Sequence, residues 1–521
     1  MDQLDDPQVG APDTFESHAN CFPHREAVIC GKTRRTWGDF NRNCNRVAHA
    51  LLRAGVGRGD RVALLMDNSV ELLELLFGAV KAGACVVPLS CMLTVEQLVT
   101  LLDDSDACAL FAGPGLRERI ENRRAQLPKL HQWVAAGPAA TRGSDLGWQD
   151  FDAFCAGVPH SMPALRYAPS DTFNIIYRSG TTGLPKGIVQ THRARTHWTF
   201  SNAIEMRFND QSRALTTTAL YSNGTWLMML PVLFAGGTLV ALPTFGTADF
   251  FTAVATEKIT HTFMVPAQYM LLLADPALTA AGTQSLEVML CAGSPLRRDT
   301  KRAVIERFGN KLYELYGFSE GFVTMLKPHQ HAAKFETVGT PVLGFEMRIV
   351  DEAGIELPRG EIGEIAGTGA GIMRGYHKRD EATADLIWRD ERGRSFIRSG
   401  DIGRLDADGF LTLLDRKKDM IISGGFNVFP ADLEAVVAQY PGVADVTVID
   451  VPHERFGETP LALVIAQPGV ALDHAAIVGW ANQRLAKHQW ISAVEGRTEF
   501  PRNALGKVLK RLLREPYWTQ V

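Results

Sequence analysis

The stretch that decides the fold is RVALLMDNSVELLELLFGAVKAGACVVPL, residues 61–89. It begins with an apolar run over 61–66, typical of a buried strand. A helical pattern then ends near Gly83, and a second apolar run occupies 85–89. Two buried strands joined by a helix form the β-α-β unit of a parallel sheet layered by helices.

The same alternation extends over most of the chain. Upstream, Thr36 and Asp39 suit a capping pair at the start of a helix. Downstream, apolar runs near Cys108 and Trp133, and at 238–242, 261–265 and 286–293, predict further strands.

The pattern changes twice in the C-terminal part. From about Gly339 short strands alternate with glycine-rich turns, and beyond Asp415 the cluster DRKKD precedes a compact α+β unit in which Pro430 suits a helix start. We therefore predict the α/β class. A large N-terminal domain of layered α/β sheets with a β-rich subdomain spans 1–417, and a small mobile α+β C-terminal domain spans 418–521.

Composition excludes several classes of protein. The chain has 521 residues, of which 46% are hydrophobic and 21% charged, as in globular proteins. Lys and Arg total 54 against 58 Asp and Glu, so the net charge of −4 provides no basic field for nucleic acid. Eight cysteines without a C-x-x-C pair predict reduced, buried thiols. The acidic N-terminus has no apolar run that would indicate a signal peptide. Together with the reduced thiols and the net charge, this predicts a cytoplasmic protein without a nucleic-acid partner.

One uncharged stretch, residues 214–248, is long enough to suggest a membrane span. Asn223, Pro231 and Pro243 divide it, as does the Gly236-Gly237 pair. We expect instead a core helix near 225–235 and a strand at 238–242, without a membrane span.

The strongest chemical motif is YRSGTTGLPKG, residues 177–187. It follows the apolar segment FNII and supplies glycines, hydroxyl groups and Lys186, which suits a loop that wraps phosphate oxygens. It is not a Walker loop, because Pro185 stands where that motif requires glycine. On composition alone, a flexible surface turn is the alternative.

Three other motifs are weak individually. In YGFSE, residues 316–320, the tyrosine suits stacking on a base and Glu320 suits Mg²⁺, although a solvated glutamate is the default. The Asp401 carboxylate and the Arg416 guanidinium suit hydrogen bonds to a ribose. The alternative is that the two residues form an ordinary surface salt bridge. The loop PRNALGK, residues 501–507, presents Lys507, and lysines are usually solvated.

Taken together and in this order, the four motifs resemble the adenylate-forming superfamily of acyl-CoA synthetases, peptide-synthetase adenylation domains and luciferases. The resemblance runs from RTWGDFNRNCNRVAHALLRAGVGRGDRVALL through KAGACVVPL to PRNALGKVLKRLLRE. Its most specific parts are the phosphate loop and RSGD…DRKKDMIISGGFNVFPADLE. It implies an acid:CoA ligase that uses ATP, Mg²⁺ and coenzyme A. Such an enzyme forms an acyl-adenylate and pyrophosphate, and then a thioester and AMP.

The resemblance also implies roles for individual residues. Lys507 and Glu320 would be catalytic, with Glu320 holding Mg²⁺, and Lys418 would be the hinge. The residues expected to bind ATP or AMP are Ser179, Gly180, Thr181, Thr182, Gly183, Lys186, Gly293, Ser294, Tyr316, Gly317, Ser319, Asp401 and Arg416. The residues expected in the coenzyme A channel are Ser423, Gly424 and Gly425. The residues expected in the acyl pocket are Tyr221, Ser222, Asn223, Trp226, Val265 and Phe318.

Three positions depart from the usual pattern of the superfamily. Arg178 stands where threonine is usual, and the sequence assigns it no role. Ser319 replaces another threonine and keeps the hydroxyl group. Residues 220–225 lack a histidine often found there, which leaves the gate of the acyl pocket unassigned.

The acid itself is predicted only by class. Because no acyl-pocket candidate is charged, we expect a neutral tail, either a medium-length chain, which is slightly favoured, or an aryl or alicyclic ring. Acetate, diacids and amino acids are disfavoured, since a buried unpaired charge is costly.

Other readings of the chain stay open. The thiol acceptor could be a carrier protein, and a luciferase-like monooxygenase is a further, weaker alternative. A non-catalytic nucleotide-binding protein would be expected to lack Lys507 or Glu320. Regulatory acylation of Lys507 and a homodimer also remain open.

Overall fold

The computed structural model describes residues 10–136, 147–178, 185–279, 281–423, 426–502 and 506–518. Seven of the predicted site residues lie outside these ranges, namely Ser179, Gly180, Thr181, Thr182, Gly183, Gly424 and Gly425.

The helices are α1 (Ala11–Cys21), α2 (Trp37–Arg53), α3 (Val70–Lys81), α4 (Val95–Asp104), α5 (Phe151–Phe154), α6 (His192–Glu205), α7 (Trp226–Phe234), α8 (Thr247–Glu257), α9 (Pro266–Ala274), α10 (Arg298–Phe308), α11 (His331–Lys334), α12 (Asp380–Ala384), α13 (Pro430–Val437), α14 (His474–Asn482) and α15 (Lys510–Trp518). The strands are β1 (Glu26–Cys30), β2 (Thr33–Thr36), β3 (Arg61–Leu65), β4 (Cys85–Pro88), β5 (Ala107–Ala112), β6 (Gln132–Ala135), β7 (Gln149–Asp150), β8 (Thr172–Arg178), β9 (Lys186–Thr191), β10 (Arg213–Thr216), β11 (Thr238–Ala241), β12 (His261–Met264), β13 (Val288–Cys291), β14 (Leu312–Gly317), β15 (Val323–Leu326), β16 (Thr340–Pro341), β17 (Phe345–Val350), β18 (Gly363–Gly369), β19 (Gly375–Tyr376), β20 (Ile387–Arg389), β21 (Ser395–Leu405), β22 (Leu411–Arg416), β23 (Ile421–Ser423), β24 (Phe426–Val428), β25 (Val443–His453), β26 (Gly457–Ala466) and β27 (Ala493–Gly496).

Two large sheets form the N-terminal part. One has the order β19-β9-β8-β4-β3-β5-β6-β7, and the other has the order β16-β15-β14-β13-β12-β10-β11-β1-β2. The predicted β-α-β unit is confirmed, because β3 and β4 pair in parallel with Arg61 opposite Cys85. Helix α3 joins them, and every one of its residues except Glu71 is buried. The β8–β9 pair, which carries the ends of the phosphate loop, is antiparallel.

Two smaller sheets follow in the sequence. The first has the order β17-β18-β21-β20, with β22 beside β21, and the second has the order β24-β23-β26-β25, with β27 beside β26. The expected β-rich region and the α+β unit are both present. The change from one sheet to the other falls between Arg416 and Ile421, while the domain boundary at Lys418 stays a prediction.

Local signals position several elements as expected. The hydroxyl group of Thr36 accepts a hydrogen bond from the Asp39 backbone at the start of α2. The uncharged stretch forms α7, in which all residues are buried, and β11. Within the described ranges, no helix has both the length and the apolar character needed to cross a membrane.

The cysteines match the prediction only in part. All eight are free, but Cys21 is exposed and Cys91 and Cys108 are half-buried, so the expectation of uniform burial is wrong for these three. Cys21 ends α1 at the surface. Burial raises the pKa of the Cys30 thiol to about 12, which keeps it protonated and unreactive.

Candidate active site

The predicted ribose-binding pair is assembled by two neighbouring strands. Asp401 in β21 lies opposite Arg416 in β22, and 3.4 Å separates Asp401 Oδ1 from Arg416 Nε. The Tyr316 hydroxyl donates a hydrogen bond of 2.8 Å to Asp401 Oδ2. Burial, followed by the charge of Asp401, raises the pKa of Tyr316, so the phenol remains a donor. The structure therefore joins residues from two motifs 85 positions apart.

Gly293 and Ser294 belong to the same edge of the sheet. Strands β13 and β14 are parallel neighbours, with Cys291 opposite Glu314. Since both strands run toward this edge, the residues that follow β13 lie beside Tyr316 at the end of β14. Carboxyl ends of parallel strands are a common place for nucleotides in open α/β sheets.

Lys507 lies within electrostatic reach of this pair. Burial and the charge of Arg416 lower the pKa of Lys507 to about 7, against the opposing effect of Asp401. A Cβ atom placed on Gly506 would lie 4.0 Å from Ala267 in α9, so this C-terminal loop approaches the N-terminal part. The backbone of Gly506 accepts a hydrogen bond of 2.5 Å from Arg502 Nη1.

Glu320 is buried, with 3% of its surface exposed, and its carboxylate already has two partners. Arg178 Nη1 lies 2.9 Å from Oε1 and 3.1 Å from Oε2, and the Tyr376 hydroxyl donates to Oε1. The Lys186 ammonium lies 4.9 Å from the centre of the Tyr376 ring. Arg178, which the sequence could not assign, is thus an ion-pair partner of the predicted Mg²⁺ ligand.

Close packing holds the turn that carries Glu320. A Cβ atom at Gly317 would lie 2.7 Å from the Phe322 carbonyl, and one at Gly321, where φ is +114°, would lie 2.2 Å from the Gly371 carbonyl. Only glycine fits such approaches. The Met373 backbone also donates a hydrogen bond of 2.7 Å to the Glu320 carbonyl.

These residues fit a magnesium ion that arrives with a nucleotide. Among the described residues, no three His, Cys, Asp or Glu side chains are grouped so that they could hold a metal ion. A single buried carboxylate completed by phosphate oxygens is the usual protein contribution to a nucleotide-bound Mg²⁺. Glu320 meets that requirement once it exchanges its contact with Arg178.

The acyl-pocket candidates differ in burial. Trp226 and Val265 are buried, whereas Tyr221, Ser222, Asn223 and Phe318 are half-buried. The Trp226 indole donates a hydrogen bond of 2.8 Å to the Leu220 carbonyl, and Phe318 stacks on Phe322 with 5.4 Å between ring centres. Two of the candidates, Asn223 and Trp226, share a neighbour that the sequence analysis missed.

That neighbour is Arg195 in α6, which is 3% exposed. Its Nη2 donates a hydrogen bond of 2.8 Å to Asn223 Oδ1, and its guanidinium lies 4.7 Å from the centre of the Trp226 ring. The one sequence signal was its spacing of three residues before Trp198 on the same helix face. The sequence-based expectation considered only the charge of the pocket candidates themselves, and Arg195 is a basic neighbour of two of them.

The remaining predicted residues lie in or beside the C-terminal sheet. Burial, followed by the charges of Arg416 and Arg514, lowers the pKa of Lys418 against the opposing charge of Asp419. Ser423 pairs with Phe426 and with Gly457 in that sheet. The hinge role of Lys418 and the channel role of Ser423 stay predictions.

The AMP-binding enzyme family matches residues 15–377, and the AMP-binding enzyme C-terminal domain family matches residues 432–507. The chain belongs to the AMP-binding enzyme family. This confirms the predicted superfamily and fold class. It also confirms the predicted activity of an ATP-dependent acid–thiol ligase. Such an enzyme uses Mg²⁺ as a cofactor and ATP and coenzyme A as co-substrates.

Similar proteins span almost the whole chain. A feruloyl-CoA synthase from Amycolatopsis sp is 34% identical over 504 residues, 96% of this chain and 97% of that protein. The long-chain-fatty-acid–CoA ligase FadD13 from Mycobacterium tuberculosis is 31% identical over 514 residues, with 96% and 97% covered. ATP-bound MatB from Rhodopseudomonas palustris has a TM-score of 0.88 at 29% identity, covering 98% of this chain and 99% of that one. Apo MatB, with the same coverage, has a TM-score of 0.77.

Proposed function

We propose that the enzyme is an acyl-CoA synthetase for a carboxylic acid with a neutral tail, either a medium-length aliphatic chain or an aryl or alicyclic ring. In the first half-reaction the carboxylate attacks the α-phosphorus of ATP and expels pyrophosphate. In the second, the coenzyme A thiol attacks the acyl carbon and expels AMP. Adenylation is required because a carboxylate oxygen is a poor leaving group and AMP is a good one.

The observation that supports this proposal best is the cluster of Tyr316, Asp401, Arg416 and Lys507. A buried carboxylate and a guanidinium suit the hydroxyl groups of a ribose. A lysine at the same place suits the charge that develops where the carboxylate meets the α-phosphate. A surface salt bridge alone would not explain why Tyr316 and Lys507, both far from Asp401 in the sequence, approach this pair.

Each remaining residue has a role in the proposal. The loop with Lys186 wraps the β- and γ-phosphates, while Gly293, Ser294 and Tyr316 line the adenine slot. Glu320 holds Mg²⁺, which when bound neutralises phosphate charge. In the second half-reaction the domain 418–521 rotates about Lys418 relative to the domain 1–417. Ser423 then lines the coenzyme A channel together with Gly424 and Gly425.

The composition of the pocket supports an acid longer than acetate. Trp226, Val265 and Phe318 supply apolar surface that a short acid would leave uncovered. Each methylene that a longer acid buries gains about 0.8 kcal/mol, so four are worth roughly 3 kcal/mol before entropy. That corresponds to about a hundredfold in specificity.

The test is pyrophosphate release and acyl-CoA formation with acetate, hexanoate, octanoate, benzoate and malonate, each with and without coenzyme A. We expect kcat/KM to be highest for hexanoate, octanoate or benzoate, with thioester formed only when coenzyme A is present. A maximum at acetate or malonate would contradict the proposed pocket. Activity with a carrier-protein thiol in place of coenzyme A would contradict the proposed acceptor.

We also infer a cytoplasmic location, supported by eight free thiols. Measuring the partition of the enzyme between cytosolic and membrane fractions tests this inference. Recovery mainly with the membranes would contradict it.

A further inference from the structure

Arg195 is a buried cation without a counter-ion in the described part of the chain. Its Nε donates a hydrogen bond of 2.7 Å to Asn174 Oδ1, and its Nη2 bonds Asn223 Oδ1. Both partners are neutral amides, and the other N–H groups of its five donate to no described residue. Burial lowers the pKa of Arg195 to about 9, so it is still charged at neutral pH.

Its neighbours include further buried polar atoms without a partner among the described residues. Asn174 Nδ2 is one, and both amide atoms of Gln190 are others. Gln190 lies directly opposite Asn174 in the β8–β9 pair, so their side chains share a face of the sheet. Thr199, one helical turn after Arg195 in α6, has a buried hydroxyl group that is also unpartnered.

Leaving so many buried polar groups unpaired destabilises the folded protein. In a folded enzyme such groups are normally satisfied by water or by a ligand. Since Arg195 also contacts Asn223 and Trp226, both candidates for the acyl pocket, the ligand that fits this position is the tail of the acid substrate.

Two indole rings border the guanidinium. Trp226 lies 4.7 Å and Trp198 5.4 Å from Arg195 Cζ, measured to the ring centres. Flat aromatic walls next to a hydrogen-bond donor suit an aromatic ring that carries an oxygen.

We propose that Arg195 is a specificity-determining residue that donates a hydrogen bond to an oxygen acceptor on the tail of the acid, with a hydroxylated or alkoxylated aryl acid as the substrate class. This inference rests on the proposed acyl-CoA synthetase activity. It deepens that proposal, because it requires a polar atom at one place in an otherwise apolar tail. The oxygen bonds the guanidinium while the ring packs against the tryptophans.

The test compares acids that differ by one oxygen function. The aryl pairs are 3-phenylpropanoate with 3-(4-hydroxyphenyl)propanoate and cinnamate with 4-hydroxycinnamate, and the chain pair is octanoate with octanedioate. For the wild-type enzyme we expect kcat/KM of pyrophosphate release to be about tenfold or more higher for the hydroxylated member of an aryl pair. A preference for octanedioate over every aryl acid would overturn the aryl class.

Variants of Arg195 distinguish a role in recognising the acid from a purely structural role. Arg195→Met should remove the preference, so that kcat/KM for the hydroxylated acid falls to the value for its plain partner. The value of kcat/KM for the plain acid should change less than twofold. Arg195→Lys, which keeps a charge, should restore part of the preference. The matched control is Arg193→Met, which removes an exposed arginine of the same helix and should change neither value.

The remaining outcomes overturn the inference. If Arg195→Met lowers both members of a pair equally, or lowers the melting temperature without changing the preference, Arg195 is a structural residue. If the wild type uses plain and hydroxylated acids equally, the inference fails while the proposed synthetase activity stands. If no acid supports pyrophosphate release, the proposed activity fails. Calorimetric binding of the same pairs to wild type and Arg195→Met then decides the inference, and equal affinities would refute it.

Discussion

At the level of single residues, the surroundings of Lys507 separate the two half-reactions. The charges of Asp401 and Arg416 both act on its ammonium group, and in the proposed mechanism the first transition state forms at that pair. We expect Lys507→Ala to lower adenylation by roughly 100-fold or more, the usual cost of losing one charge-stabilising donor. Thioester formation from supplied acyl-adenylate should remain. Equal losses in both half-reactions would refute this division.

The pKa of Lys507 predicts a pH dependence. Because burial and Arg416 lower it to about 7, the lysine carries its charge below that pH and loses it above. We expect kcat/KM of adenylation to fall as the pH rises through about 7, since this parameter reports ionisation of the free enzyme. The thioester half-reaction should lack this fall. A flat adenylation profile from pH 6 to 9 would contradict the assignment.

The lowered pKa of Lys507 also predicts how acylation of this lysine would regulate the enzyme. A lysine that is partly neutral near pH 7 is a better nucleophile than an ordinary lysine, and acylation would remove its charge. We expect enzyme acylated at Lys507 to lose adenylation and to regain it on deacylation. The check is pyrophosphate release from a preparation whose acylated fraction is measured by mass spectrometry. An acylated preparation with the normal rate would exclude this form of regulation.

In the proposed site, Arg178 would compete with Mg²⁺ for Glu320. The pair is partly exposed on the arginine side, so we assign it about 1 kcal/mol, equivalent to roughly fivefold in affinity. In Arg178→Thr, the Mg²⁺ concentration for half-maximal pyrophosphate release should fall by about that factor, because the carboxylate no longer leaves an ion pair. Arg178→Lys is the control that keeps a cation. An unchanged or higher Mg²⁺ requirement would show that the pair does not oppose metal binding.

At the level of helices and strands, the sequence predicts local structure well where one residue satisfies one backbone group. The capping of α2 by Thr36 and the start of α13 at Pro430 are both present. The burial of α3 and α7 follows from their apolar composition. In these cases the decisive interactions are local or depend only on hydrophobic periodicity.

The contacts of the site could not be predicted in the same way. Arg178 and Glu320 are separated by 142 positions, so no spacing rule relates them. Arg195 occupies a helix whose other buried residues include both polar and aromatic side chains, and nothing local shows that it faces Asn223. Motif resemblance supplied the predicted nucleotide residues, whereas pairing across strands and helices is set by tertiary packing.

The strand pair β23–β24 is the element that we assign to the thiol channel. Gly425 directly precedes β24, and Ser423 ends β23. Because the channel is proposed to form only in the second half-reaction, Gly425→Leu should leave adenylation within about twofold while acyl-CoA formation collapses as the side chain fills the channel. Separate assays of pyrophosphate and thioester decide this. Normal turnover with coenzyme A would refute the assignment.

At the level of the whole molecule, we infer that the arrangement of the N-terminal and C-terminal parts is that of the proposed adenylation step. Lys507 lies within electrostatic reach of the predicted ribose pair, and the TM-score to MatB is higher for its ATP-bound form than for its apo form. Arg297, just before α10, lies 2.6 Å from Asp445 in β25. Asp445 also accepts a hydrogen bond from Arg502, in the loop that leads to Lys507. An ion pair across the two parts therefore holds the segment that carries the lysine.

If this contact stabilises the adenylation arrangement, its removal should affect one half-reaction more than the other. Arg297 is 40% exposed, so the pair is worth at most about 1 kcal/mol, or roughly fivefold. We expect Arg297→Ala to lower kcat/KM of pyrophosphate release by up to about that factor, with thioester formation from acyl-adenylate unchanged or faster. The matched control is Arg298→Ala, because Arg298 pairs with Glu336 inside the N-terminal part. If both variants change both half-reactions equally, the contact between Arg297 and Asp445 does not favour the adenylation arrangement. A general loss of surface charge would have the same effect at either position.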